Sequence, residues 1–138
     1  MEVSDLKIGD WVNSTDEAFP VVVQAIHNQD DVEVSDDIDN DSWRMKSILD
    51  IEPIPISGEI LEQNGWKHFG KDNKKLDFHN MEHWLLDKCE AWRLDDNTIL
   101  NFRIISNDHH TQYVGKIQYV HELQHALQLV GIENGIEL

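Results

Sequence analysis

The chain is short of cysteine, of basic residues and of long apolar runs. Its 138 residues include one cysteine, Cys89, and 11 Lys or Arg against 27 Asp or Glu. A single cysteine excludes an internal disulfide and a zinc site made of several thiolates. No apolar run has the length of a membrane-spanning helix, and residues 1–5 lack the basic and apolar regions of a secretory signal. We therefore expect a cytoplasmic protein that has no membrane partner.

The scarcity of bases leaves a net charge of 11 − 27 = −16. A charge of this sign argues against direct binding to nucleic acid, whose backbone is itself anionic. The charge is unevenly spread, because residues 1–65 hold 16 acids and 3 bases, whereas residues 66–138 hold 11 acids and 8 bases. We therefore place the acidity mainly in the first half of the chain.

The densest acidic stretch covers residues 28–41, which hold seven acids and no base. One interpretation is a solvated hairpin loop. The other is a surface for a protein with a basic surface, to which an aromatic side chain adds the kind of contact that dominates interfaces. On that hypothesis the partner-binding residues are Asp30, Asp31, Glu33, Asp36, Asp37, Asp39, Asp41 and Trp43.

Apolar and polar residues alternate in several short stretches of residues 1–56. The alternation predicts four or five strands in a small curled sheet or barrel. The last stretch ends at Pro53 and Pro55, because proline has no N–H group to donate to a neighbouring strand. The Gly9-Asp10 turn that leads into a strand is similar to the opening of SH3-like small barrels. We predict an SH3-like β-unit over residues 1–56.

Residues 57–138 are predicted to form a second unit, which makes the fold class α+β. Ser57 is a good N-cap for a short helix, and Gly65 suits the position that follows its end. Further alternation predicts an antiparallel meander of three or four strands. A final helix is expected from about Lys116 to Val130, with Gly131 ending it.

That final helix carries an apolar stripe that should pack on the meander. The stripe consists of Val120, Leu123, Leu127 and Val130. His121 and His125 lie on the opposite side of the helix, so we expect both to face solvent unless another layer covers them.

The same histidines belong to the sequence His121-Glu122-Leu123-Gln124-His125, which matches the HExxH pattern of zinc proteases. On a helix the two histidines share a face and can bind zinc, while Glu122 can serve as the general base. A catalytic zinc also needs a third protein ligand. The extended pattern would place Gly at position 128 and His at position 131, but the chain has Gln128 and Gly131. A zinc metallohydrolase is therefore an alternative rather than the leading interpretation.

Three blocks of the sequence resemble a family of small uncharacterised proteins found in phages and mobile elements of anaerobic gut bacteria. The blocks are residues 6–12 (LKIGDWV), 54–66 (IPISGEILEQNGW) and 119–124 (YVHELQ), and they occur in the order typical of the family. The family has no established activity. The resemblance implies action inside the cytoplasm of a bacterial host.

These observations favour a non-enzymatic binding protein that needs no cofactor. It would inhibit a host defence protein by presenting an acidic face that mimics nucleic acid to a basic surface. Two alternatives stay open. One is the zinc metallohydrolase, and the other is a protein that sequesters a nucleotide or small molecule between its two units by means of Trp and His side chains.

Overall fold

The computed structural model describes residues 1–37, 42–69, 81–87, 89–94, 100–105, 111–132 and 135–138. Within these ranges the chain forms two antiparallel sheets of five strands each and a C-terminal helix. This arrangement confirms the predicted α+β class. No helix in the described ranges is both long and apolar enough to cross a membrane.

The first sheet is built from residues 11–52. Its strands are β1 Trp11–Ser14, β2 Val21–Ile26, β3 Asp31–Ser35, β4 Arg44–Ser47 and β5 Ile51–Glu52, in the spatial order β4-β3-β2-β1-β5. A short 3-10 helix, Ile48–Asp50, separates β4 from β5, because the Ser47 side chain accepts a hydrogen bond from the Leu49 backbone N–H. This helix interrupts the extended chain between the two strands.

One face of the first sheet covers a small apolar core. This core contains Leu6, Val12, Val21, Val23, Val32, Val34 and Ile51, all of which are buried. The alternation of the sequence explains the arrangement, since every second side chain of a strand points to the same face.

Helix α1, Gly58–Gln63, joins the two sheets and agrees with the prediction. The Ser57 hydroxyl accepts a hydrogen bond from the Ile60 backbone N–H at 3.2 Å. Gly65 follows the helix with a φ of +86°, a conformation in which a side chain would be strained.

The second sheet is a meander of five strands, not of three or four. Its strands are β6 Lys67–Phe69, β7 Met81–Leu86, β8 Cys89–Leu94, β9 Leu100–Ile105 and β10 Thr111–Ile117, in the order β10-β9-β8-β7-β6. The register of β10 against β9 shifts between Tyr113 and Gly115. This irregularity interrupts the two-residue period, which explains why the alternation of the sequence did not reveal β10.

The second helix, α2, covers Val120–Leu129. The prediction that it begins near Lys116 is wrong, because residues up to Ile117 belong to β10. Its predicted stripe does pack against the meander: Val120, Leu123 and Leu127 share an apolar core with Leu100 and Phe102.

The larger core also includes residues of the first sheet. Trp11 and Val22, which lie opposite each other on β1 and β2, are buried in the same cluster as Leu61 and Trp84. Helix α2 contacts both β1 and β10. Helix α2 therefore packs against both predicted units, and this packing creates the polar contacts described below.

Candidate functional site

The first polar contact between the units is made by Gln124, on the α2 face that looks towards β1. Its side-chain N–H donates to the carbonyl oxygen of Gly9 at 2.9 Å, and its side-chain oxygen accepts from the Trp11 backbone N–H, also at 2.9 Å. The Trp11 indole N–H donates to the Ile136 carbonyl oxygen at 3.0 Å. Because Gln124 and Trp11 are buried, these bonds fix the position of the Gly9–Trp11 segment on the helix.

Asp10 and His125 form the second contact. The Asp10 side chain is fully buried, and its two carboxylate oxygens lie 2.9 Å and 2.8 Å from His125 Nε2. The same carboxylate accepts a hydrogen bond from the Lys7 backbone N–H at 2.8 Å. A buried carboxylate needs such partners, since an unpaired buried charge is strongly unfavourable.

A second layer covers this side of α2, so His121 is buried and His125 is partly buried. His121 is only 6% exposed, and the His125 side chain is 23% exposed. The apolar stripe located the side of α2 that meets the meander, but it could not show that the Gly9–Trp11 segment covers the opposite side.

His121 is the more unusual of the two histidines. Its Nδ1 atom is buried and has no hydrogen-bond partner among the described residues. Its ring stacks on Tyr119 at 6.0 Å and lies edge-on to the His125 ring at 5.7 Å. Burial lowers the pKa of His121, although the nearby Asp10 and Glu122 carboxylates oppose the shift. The imidazole is therefore held in its neutral form at neutral pH.

Glu122 caps the start of helix α2. One of its carboxylate oxygens accepts hydrogen bonds from the backbone N–H groups of Gln118 at 3.1 Å and Tyr119 at 2.9 Å. These bonds cap the first turn of α2, where the orphan N–H groups of a helix favour a carboxylate. The structure thus gives Glu122 a capping role, which differs from the general-base role of the zinc alternative.

Over the part of the chain that the structure describes, no three His, Cys, Asp or Glu side chains are arranged to hold a metal ion. His125 Nε2, one of the two ring nitrogens that can bind zinc, already contacts the Asp10 carboxylate. The zinc alternative stays a prediction that rests on the HExxH pattern of the sequence.

A cleft of about 510 Å³ opens beside these residues, between the N-terminal segment and α2. It is lined by Met1, Ser4, Asp5, Lys7, Pro53, Tyr119, His121, Glu122 and His125. A second cleft, of about 340 Å³, adjoins it and shares Lys7, Glu122 and His125 with it. Lys116 and Leu129 belong to the second cleft alone. Both clefts therefore lie where the two units meet.

The predicted acidic surface lies elsewhere, on the hairpin formed by β3 and β4. Asp30, Asp36 and Asp37 are exposed, whereas Asp31 and Glu33 are partly exposed. Asp39 and Asp41 lie outside the described residues.

Two apolar side chains stand among these acids. Trp43 is 59% exposed and Met45 is 49% exposed. Met45 lies directly opposite Glu33 in the register of the hairpin. The structure thus brings Glu33, Met45 and Trp43 to one side of the hairpin, since alternate side chains of a strand share a face.

The basic residues of the hairpin lie on its other side and are paired. Arg44 binds Glu17 and, at 3.0 Å, Asp36, while Lys46 binds Asp16 at 2.8 Å. The Lys46 ammonium lowers the pKa of Asp16 to about 2, and Arg44 lowers the pKa of both Glu17 and Asp36. These carboxylates stay ionised at neutral pH, and their cations leave little positive charge for the Trp43 side of the hairpin.

Comparison with known proteins gives no match: no family model, no curated protein and no solved structure is similar to this chain. The resemblance to phage and mobile-element proteins therefore stays a prediction.

Sequence reasoning missed Asp10, Gln124 and Lys7 as members of a site. A signal was present, since Gly9-Asp10-Trp11 and Leu123-Gln124 belong to two of the three blocks on which the resemblance rests. The third block meets them in space: the Val120 backbone N–H donates to the Ile54 carbonyl oxygen at 2.8 Å. Three blocks far apart in the sequence thus come together around the start of α2.

Proposed function

We propose that this protein is a non-enzymatic acidic binding protein, and that the β3–β4 hairpin is its partner-binding surface. The observation that carries the proposal is the pair of exposed apolar side chains, Trp43 and Met45, beside Glu33 in the most acidic part of the chain. We call Glu33, Trp43, Met45 and the exposed acids Asp30, Asp36 and Asp37 the hairpin surface.

The composition of the hairpin surface is that of a protein interface. Exposed tryptophan is costly in water, and tryptophan is among the residues that contribute most to binding energy at interfaces. Carboxylates on the same hairpin add electrostatic attraction and select for a basic partner. Trp43 would supply the central contact, and the acids would supply orientation and speed of association.

The paired cations strengthen this interpretation. Arg44 and Lys46 are neutralised by Asp16, Glu17 and Asp36, so they do not offset the remaining carboxylates of the hairpin. The carboxylates of the hairpin present to a partner the same sign of charge as a nucleic-acid backbone. We infer that the partner is a host protein whose basic surface otherwise binds nucleic acid, such as a defence effector, and that binding takes place in the host cytoplasm.

We also infer that the first sheet is an SH3-like barrel that holds the hairpin rigid. The strand order β4-β3-β2-β1-β5 supports this inference, because the last strand returns to pair with the first. The 3-10 helix Ile48–Asp50 directly before β5 supports it as well. The described sheet is not closed, so closure belongs to the proposal.

The test is capture of partners from a bacterial host lysate by three forms of the protein. These are the wild type, the double variant Trp43→Ala/Met45→Ala, and the control Leu49→Ala. Leu49 is 88% exposed and lies outside the hairpin surface, so the control removes an exposed apolar side chain of similar size. Capture is repeated at about 0.1 M and about 1 M salt, where charges are screened beyond about 10 Å and 3 Å respectively.

We expect the wild type and the Leu49 variant to retain a nucleic-acid-binding protein at low salt and to release it at high salt. Duplex DNA should compete for the same protein, and the double variant should fail to retain it. Equal retention by the double variant would contradict the hairpin surface. Retention that neither salt nor DNA affects would contradict the mimicry of nucleic acid.

A further inference from the structure

Two lysines that have no ion pair with a described residue, Lys7 and Lys116, line the clefts between the two units. Arg44, Lys46, Arg93 and Arg103 each bind a carboxylate within the described ranges. Across those same ranges no carboxylate forms an ion pair with Lys7 or with Lys116. Lys7 lines both clefts and Lys116 lines the smaller one. In a chain with a net charge of −16, two unpaired ammonium groups at one place indicate a position where an anion is favoured.

His125 lines both clefts, as Lys7 does, and shares the smaller one with Lys116. Its Nε2 atom is held by both oxygens of the fully buried Asp10, so the ring is fixed in orientation before any ligand binds. A ring fixed in this way can exchange a hydrogen bond with a ligand at a small cost in conformational entropy.

The larger cleft also has an aromatic wall. Tyr119 and His121 stack there with an angle of 11° between their rings, and Pro53 lines the same space. A flat ring against which another ring can stack is what proteins use to hold a nucleobase.

Two acids also line the larger cleft, and both already accept hydrogen bonds from backbone N–H groups. Asp5 accepts a hydrogen bond from the Glu2 backbone N–H at 2.9 Å. Glu122 accepts two backbone hydrogen bonds at the start of α2. These contacts balance part of each negative charge, so the acids oppose an anion less than free carboxylates would.

From this arrangement we propose that the two clefts form one binding site for a mononucleotide. The phosphate lies between Lys7 and Lys116 beside His125, and the base lies against Tyr119. The volume of the larger cleft, about 510 Å³, is within the range of small-molecule sites. The site is separate from the hairpin surface and binds a different class of ligand.

The test is calorimetric titration of the full chain with AMP, GMP, CMP and UMP, and separately with adenosine and with inorganic phosphate. We expect at least one mononucleotide to bind. Adenosine or phosphate alone should bind about tenfold more weakly or not at all, since each makes only half of the contacts.

Variants then locate the site. Lys7→Met and Lys116→Met should each weaken mononucleotide binding by about tenfold, the usual size of a hydrogen bond to a charged group. Tyr119→Leu should weaken it by a similar factor through loss of stacking, about tenfold. Lys67→Met is the matched control, because it removes an exposed lysine from β6, which lines neither cleft. All four variants are first checked for an unchanged melting temperature, and a lysine variant that fails to fold is replaced by Lys→Gln.

Absence of heat with all four mononucleotides would overturn the proposal. Equal binding of phosphate and of mononucleotides would overturn the stacking part, and equal loss in the Lys67 and Lys7 variants would overturn the position of the phosphate. Loss of mononucleotide binding in Trp43→Ala/Met45→Ala would also contradict it, because the two sites are independent.

Discussion

Two regions of this molecule use the same chemical groups in opposite ways. On the hairpin surface, Asp36 is exposed and meets an arginine at the edge of the sheet. At the junction between the units, Asp10 is fully buried and meets a histidine of α2. We use "the junction" for Asp10, Trp11, His121, Gln124 and His125. The comparison shows that the position of a carboxylate in the fold decides whether it is available to a partner or holds the fold together.

The physical reason is the cost of removing a charge from water. A carboxylate on the hairpin surface keeps its hydration, so its field extends into solvent and is screened by salt. Asp10 has lost its hydration and depends on His125 and on the Lys7 backbone N–H. Changes at the junction should therefore lower stability, whereas changes on the hairpin surface should lower binding.

The largest effect on stability is expected for Leu123→Asp. Leu123 is fully buried between the meander and the first sheet, so the change buries a charge that has no partner. We expect loss of the cooperative unfolding transition, measured by circular dichroism. Leu129→Asp is the matched control on the same helix, since Leu129 is 76% exposed, and its melting temperature should stay close to that of the wild type. A folded Leu123→Asp variant would show that α2 does not hold the two sheets.

The next largest effect is expected for Gln124→Ala. The change leaves the Gly9 carbonyl and the Trp11 backbone N–H without their partner, at a cost of about 1–3 kcal/mol for each buried group. Denaturant unfolding measures the loss. Gln128→Ala provides the control, because Gln128 is exposed on the same helix. Equal midpoints for the two variants would mean that Gln124 does not join the units.

A smaller effect is expected from pH. Burial lowers the pKa of His121 below its ordinary value of 6.5, so the folded state binds fewer protons there than the unfolded state. Stability from this group is complete above pH 6.5 and is lost as pH falls through the lower folded pKa. Phenylalanine in the His121→Phe variant binds no proton. The variant should therefore lose less stability than the wild type as pH falls from 6.5 to the lower pKa of the folded state. Melting temperature as a function of pH measures the difference. Parallel curves for the two proteins would contradict the burial of His121.

The sequence predicted the elements better than it predicted the junction. The strands of residues 11–47, the N-cap at Ser57 and the apolar stripe of α2 follow from local patterns, so local reasoning found them. Asp10 and His125 are 115 positions apart and meet only because the two sheets pack on one helix. A periodic pattern reports which side of a helix is apolar, but it carries no information about a second layer that covers the polar side.

For the acidic hairpin, the sequence predicted the surface but not the ion pairs behind it. The charge of the hairpin could be counted from the sequence. Trp43 is exposed, and its contact with a partner stays a prediction. The pairing of Arg44 and Lys46 with Asp16 and Glu17 could not be predicted, because these residues are brought together by the packing of the β1–β2 connection against β4. Arg44 and Lys46 are the only basic residues in the sequence of the hairpin. Because both are paired on its other side, the Trp43 side stays acidic.

Stability and binding can be separated by measuring both on one variant of the hairpin surface. Trp43→Ala/Met45→Ala removes two exposed side chains that have no place in either apolar core. We predict a melting temperature equal to that of the wild type, together with loss of the salt-sensitive partner that the wild type and Leu49→Ala retain. An unchanged melting temperature with full retention of that partner would show that the hairpin surface is not where this protein binds.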